Sequence, residues 1–184
     1  MATAFLDGGA MLVQVRAKRL PSGSFLTLCD AVVRAAESHG ANVIVNDRAD
    51  LAVMSGAAGV HVGQEDLAPR DVRKLLGPTA IVGYSTHTPD QLEAASSEPL
   101  SYIAIGPVFG TQTKATGYEP IGLTMVAEAA RLSKGLPVVA IGGITVENAP
   151  AVIAAGASAV AVIGDLLVNG DPKARVEWYC RALR

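Results

Sequence analysis

The chain has 184 residues, half of them hydrophobic, which is enough apolar surface for one domain around a single large core. Lysine and arginine total 15 against 17 acidic residues, which excludes the broad positive field that holds nucleic acid or an anionic membrane and makes a small-molecule partner the expectation. No apolar run approaches the ~20 residues of a membrane span, and Asp7, Gly8 and Gly9 stand where a signal peptide keeps its apolar centre, so a cytoplasmic protein with Cys29 and Cys180 as free thiols is expected.

Met1–Leu6 reads as a short helical stretch, and Met11–Val15 is the first apolar, β-branched run. From Val13 to Lys18 the chain alternates, so Gln14, Arg16 and Lys18 point one way and Val13, Val15 and Ala17 the other. Three polar groups on the inward side of a buried strand, two of them cationic, call for an anion; the alternative is a solvated strand end with Lys18 and Arg19 as loop charge. A helical pattern at Leu26–Ser38 leads to a strand at Asn42–Val45, followed by Asn46 and Asp47. The next run, Gly59–Val62, is followed by Gly63, Gln64, Glu65 and Asp66. Asp47 and Asp66 therefore end neighbouring strands, where one or two carboxylates suit Mg²⁺, with phosphate oxygens and water completing its shell. Asp66, just ahead of Leu67, Ala68 and Pro69, also fits a helix N-cap.

A helix at Pro69–Leu76 and a strand at Ala80–Gly83 lead to Ser85 and His87. His39 and His61 read as structural, leaving His87 as the candidate for proton transfer. The helix at Pro89–Ser96 opens on Thr88-Pro89, and the strand at Tyr102–Ile105 precedes Gly110-Thr111-Gln112-Thr113-Lys114, a run of small and hydroxyl residues with a lysine that suits phosphate. A helix at Leu123–Ser133, a strand at Pro137–Ile141, a helix at Val146–Ala155 that opens at Thr145, and a strand at Ala159–Ile163 complete the pattern. Gly142, Gly143 and Gly164 follow the last two strands, where many barrels hold a phosphate through backbone N–H groups. Gly40, Gly77 and Gly156 are expected to close helices.

Strand and helix alternate with a repeat of roughly 20 to 25 residues, the pattern of parallel βαβ units. A doubly wound sheet and a barrel both fit that alternation. Polar groups follow six successive strands, and a single rim collecting all of them is barrel behaviour, so one TIM-type (β/α) barrel domain over 1–184 is expected.

The segments Val13–Lys18, Val45-Asn46-Asp47, His61–Asp66, Ser85–Thr88, Gly106–Phe109, Thr111–Lys114 and Ile141–Thr145, in this order, resemble the thiamine phosphate synthase family. The resemblance runs from about Phe5 to near the C-terminus. It implies a transferase that couples 4-amino-2-methyl-5-pyrimidinylmethyl diphosphate with a thiazole phosphate, releasing pyrophosphate by dissociative substitution. By the same resemblance Gln14, Arg16, Lys18 and Asn46 bind the pyrimidine diphosphate, Asp47 and Asp66 hold Mg²⁺, and Ser85 and Lys114 contact the diphosphate. Thr111, Gln112, Thr113, Gly143, Ile163 and Gly164 correspond to the thiazole phosphate site, and Arg16, Ser85 and Lys114 carry the catalytic role.

The chain departs from the family pattern in having Gly164 where Ser is common and in the stretch Ala115–Pro120. It also begins where the family's first helix is ending, so a barrel lacking its first strand is expected, with Met1–Leu6 as the remnant helix and self-association favoured through the gap. Two other readings remain open: a thiazole tautomerase-like isomerase, which shares the barrel but lacks the two metal carboxylates, and a non-catalytic barrel that binds a phosphorylated metabolite.

Overall fold

The computed structural model describes residues 1–110 and 117–183. Seven β-branched runs form seven parallel strands: β1 Leu12–Val15, β2 Asn42–Asn46, β3 Gly59–Val62, β4 Ile81–Thr86, β5 Tyr102–Ile105, β6 Val138–Ile141 and β7 Ala159–Ala161. The helices are α1 Ala2–Asp7, α2 Ser22–Glu37, α3 Ala49–Ser55, α4 Pro69–Leu76, α5 Pro89–Ala95, α6 Gly122–Leu132, α7 Ala149–Ala154 and α8 Pro172–Ala182, with a 3₁₀ segment at Gly164–Gly170. No described helix is long and apolar enough to cross a membrane.

The strands pair in sequence order from β1 to β7, which rules out the reversal of order that defines a doubly wound sheet. β1 and β7 are the two ends of that order, and no pairing joins them among the described residues. The helical layer nevertheless continues past the opening, because α1 packs against both α2 and α8. The Asp7 carboxylate meets His39 Nε2 at 3.0 Å and so ties α1 to the end of α2. This is the open seven-stranded (β/α) barrel expected from the sequence, with α1 where the remnant helix was placed.

Alternation along each strand separates two apolar regions. Val15, Val43, Val45, Val60, Val62, Val82, Ile103 and Ile105 face outward into one continuous core shared with the helices. Ile44, Tyr102 and Ala104, flanked by Ile81 and Val139, make a second, smaller cluster inside the barrel. Two glycines make room there. A Cβ on Gly59 would strike the Ile81 backbone, and one on Gly83 would strike the Tyr102 ring. At the N-terminal ends of the strands Arg73 of α4 gathers carbonyls, donating to Ala80 O at 2.5 Å and to Pro99 O at 3.0 Å.

Some boundaries differ from the sequence reading. Helix α2 starts at Ser22, four residues ahead of the apolar pattern, because Ser22-Gly23-Ser24 contributes helical backbone without an apolar face. Helix α7 starts at Ala149: Asn148 Oδ1 accepts from Thr145 N at 2.9 Å, so Thr145 lies in the turn before the helix and does not cap it. Thr88 does cap α5, accepting from Gln91 N, and Asp66 caps nothing, since α4 begins after Ala68. Gly77 closes α4, whereas α2 and α7 end on Ser38 and Ala155 with Gly40 and Gly156 just beyond.

Candidate active site at the C-terminal rim

Because all seven strands are parallel, their C-terminal ends form one rim. Gln14 lies on β1, and Arg16 and Lys18 follow it; Val13, Val15 and Ala17 pack outward, so the alternation read from the sequence holds. Asn46 is the buried last residue of β2. Asp47 comes next with φ 62°, a left-handed backbone that Asp tolerates better than most residues and that is held by donation from Asp47 N to His61 O at 2.8 Å.

Lys18 Nζ reaches Asp47 Oδ2 at 2.9 Å, and Asp66, in the turn after β3, accepts from Gly63 N at 2.7 Å. Burial lifts the Asp66 carboxyl above its ordinary pKa; the Gly63 amide pulls it back, and the neighbouring Asp47 carboxylate pushes it further up. One cation and two carboxylates from the ends of three adjacent strands thus converge. Ala17, Lys18, Leu20, Phe25, Asn46, Asp47 and Arg48 line a pocket beside them.

Ser85, near the end of β4, is held from two sides. His61 Nε2 lies 2.8 Å from its Oγ, and Gln64 Nε2 donates to its carbonyl at 2.6 Å. His61 Nδ1 in turn lies 2.8 Å from the Tyr102 hydroxyl. The sequence reading left His61 and Tyr102 out of the site. The available signal was period two in Gly59-Val60-His61-Val62-Gly63, which turns His61 inward once Val60 and Val62 face the helices. His87 Nδ1 donates to Gly106 O at 2.6 Å, and its ring stacks on Tyr118 at 3.9 Å.

On the far part of the rim Gly143 has φ 63°, and a Cβ there would meet Gly110 O at 2.6 Å and Phe109 Cβ at 2.8 Å, so the turn after β6 closes directly on the loop after β5. Ile163, half-exposed, precedes Gly164 at the start of the 3₁₀ segment. Among the described residues no hydrogen bond or ion pair joins Gly143, Ile163 or Gly164 to the Lys18–Asp47–Asp66 group. Thr111, Gln112, Thr113 and Lys114 lie outside the described residues.

A family model described as thiamine monophosphate synthase matches residues 1–166. The chain belongs to the thiamine monophosphate synthase family. A thiamine-phosphate synthase of Roseiflexus castenholzii is 42% identical over 96% of this chain and 77% of the relative. One of Koribacter versatilis is 42% identical over 99% of this chain and 84% of the relative. Among solved structures, a thiamine phosphate pyrophosphorylase of Pyrococcus furiosus superposes with a TM-score of 0.91 at 28% identity, covering 99% of this chain and 87% of the other. A 3-hexulose-6-phosphate synthase, at 18% identity and a TM-score of 0.71, shares the fold alone. Membership of the thiamine monophosphate synthase family thus rests on close relatives along nearly the whole chain.

Proposed function

We propose that this chain is a thiamine phosphate synthase, joining 4-amino-2-methyl-5-pyrimidinylmethyl diphosphate to a thiazole phosphate. The observation that carries the reading is the convergence of Asp47 and Asp66 beside Lys18 on the rim of a barrel of this family. Converging carboxylates raise the cost of each other's charge, and a divalent cation relieves it. Asp47 and Asp66 would hold Mg²⁺, which when bound supplies positive charge to the departing pyrophosphate.

The chain's own groups support the rest of the substitution. The bond between the methylene carbon and the diphosphate oxygen breaks with its electron pair leaving on pyrophosphate, and the thiazole nitrogen then donates its lone pair to the carbon. Negative charge gathers on the leaving group as that bond breaks, so Arg16, Lys18 and Lys114 act most strongly in the transition state, with Ser85 as a neutral donor. No base is required, because the thiazole nitrogen has no proton to lose; His87, donating to Gly106 O, is free of that duty. Gln14 and Asn46 take the aminopyrimidine. Thr111, Gln112, Thr113, Gly143, Ile163 and Gly164 surround the thiazole phosphate, which at Gly164 meets backbone N–H in place of a side chain.

The test is turnover with both phosphorylated substrates and Mg²⁺, following thiamine phosphate and pyrophosphate. Both products are expected, abolished by chelation. Asp47→Asn and Asp66→Asn are each expected to lower Mg²⁺-dependent turnover by about 100-fold with the fold intact. No product from the wild-type protein, or an isomerised thiazole alone, rejects the reading; full activity in both variants rejects the metal assignment.

A further inference from the structure

Inside the barrel Tyr102 on β5, His61 on β3 and Ser85 on β4 form a hydrogen-bonded chain that ends at the rim, with 2.8 Å at both links. His61 and Tyr102 are each only 8% exposed, whereas Ser85 is half-buried near the C-terminal end of β4. The direction of donation along this chain follows from its buried end. Burial pushes the Tyr102 phenol well above its ordinary pKa, so it keeps its proton. Among the described residues the one hydrogen-bond partner of that hydroxyl is His61 Nδ1, and a buried O–H donates where it can. Nδ1 is therefore an acceptor, and in the neutral ring the proton sits on Nε2. That proton faces Ser85 Oγ, which accepts it. The Ser85 proton is then left to point elsewhere, toward the barrel mouth.

We propose that Tyr102 and His61 form a polarity relay that fixes the His61 tautomer and makes Ser85 an obligate hydrogen-bond donor toward the substrate. The relay rests on reading Ser85 as a contact of the diphosphate, and it deepens that reading: oxygens of a diphosphate accept and do not donate, so a serine locked as donor discriminates for an anionic oxygen. Without the lock a serine hydroxyl rotates, and with the opposite imidazole tautomer it would spend its proton on His61 Nε2. Tyr102 and His61 are positioning residues, acting on the substrate only through Ser85. Gly83 on β4 belongs to the same device, because a Cβ there would occupy the space of the Tyr102 ring and hydroxyl. Asp47 meets His61 through its N–H to the His61 carbonyl, on the backbone and not on the ring that the relay uses.

Two measurements test it. ¹⁵N imidazole NMR of the ligand-free protein at about pH 8, where unperturbed histidine is neutral, reads the tautomer directly; His61→Gln assigns the signal among the three histidines. The Nε2–H tautomer is expected, with conversion toward Nδ1–H in Tyr102→Phe, a variant that keeps the ring beside Gly83. An Nδ1–H tautomer in the wild type overturns the relay. The second measurement is a kinetic cycle in the diphosphate substrate. Ser85→Ala should lower kcat/KM by about 100-fold. Tyr102→Phe should lower it by about tenfold in the wild type and have little effect in Ser85→Ala. His61→Gln, which restores an N–H near the Nε2 position, should retain more activity than His61→Leu. Equal effects of Tyr102→Phe in both backgrounds overturn the relay while leaving Ser85 at the substrate. Unchanged kinetics in Ser85→Ala instead overturn the assignment of Ser85 to the diphosphate, and the relay's function with it.

Discussion

Gly83→Ala is the substitution whose cost can be worked most directly from the barrel interior. The added Cβ would lie inside the van der Waals radii of Tyr102 Cζ and the hydroxyl oxygen and 2.5 Å from Cε1. A ring can move only where space allows, and Ile44 and Ala104 pack against this one. Alanine in a strand gains about 0.5–1 kcal/mol over glycine in backbone entropy. Against that, overpacking a filled core costs about 1–3 kcal/mol, and displacing the Tyr102 hydroxyl from His61 forfeits a buried hydrogen bond of about 1 kcal/mol. The clash wins, and the net destabilisation is about 2 kcal/mol, worth about 4–8 °C in Tm for a domain of this size. Urea unfolding of Gly83→Ala, Tyr102→Leu and the double variant checks it. Removing the ring should make Gly83→Ala nearly neutral. An equal cost in both backgrounds, or a single variant within about 0.5 kcal/mol of wild type, refutes the packing argument.

Three further outcomes are expected. Asp165 accepts from Arg175 at 2.8 Å and from Tyr179 Oη at 2.6 Å with its side chain 6% exposed, so Arg175→Met, which strands a buried carboxylate, should cost about 3 kcal/mol in chemical denaturation. Burial pushes the Asp165 carboxyl up, but the Arg175 and Tyr179 hydrogen bonds outweigh it and hold the pKa below its ordinary value; its stability is therefore present above the unfolded-state pKa of about 3.9 and lost as pH falls through the lower folded value, and Asp165→Asn should flatten that acid limb. Lys114→Ala should lower kcat with little change in KM for the diphosphate, since charge accumulates on the leaving group only as the bond breaks; a raised KM at constant kcat would make the lysine a ground-state anchor. Met11 and Leu12 at the unpaired β1 edge, and Ile163 just beyond β7, are exposed, so concentration-dependent association is expected in sedimentation and should weaken in Leu12→Lys; a monomer at every concentration refutes it.

Much of the fold was legible along the chain. β3, β5 and α4 fall on the residues expected because each is bounded by its own chemistry: β-branched runs apolar on both faces for the strands, and Pro69 and Gly77 at the two ends of the helix. The position of Asp47 and Asp66 along the chain was legible for the same reason, since the residues that follow parallel strands start out from the same rim. Helix α3 escaped, being only seven residues of mixed character with no side-chain cap. What local pattern could not supply was every relation between residues distant in the chain. Tyr102 meets His61 across 41 residues and His61 meets Ser85 across 24, contacts set by the register His61↔Gly83 and Gly83↔Tyr102. Asp165 likewise follows Gly164 in the chain, yet its carboxylate pairs with Arg175 and Tyr179 of α8. Alternation within one strand determines which side chains share a face, because that depends only on the backbone's period of two; which of them touch is decided by strand register and by the glycines that clear space between strands, and those are settled only when the whole sheet packs.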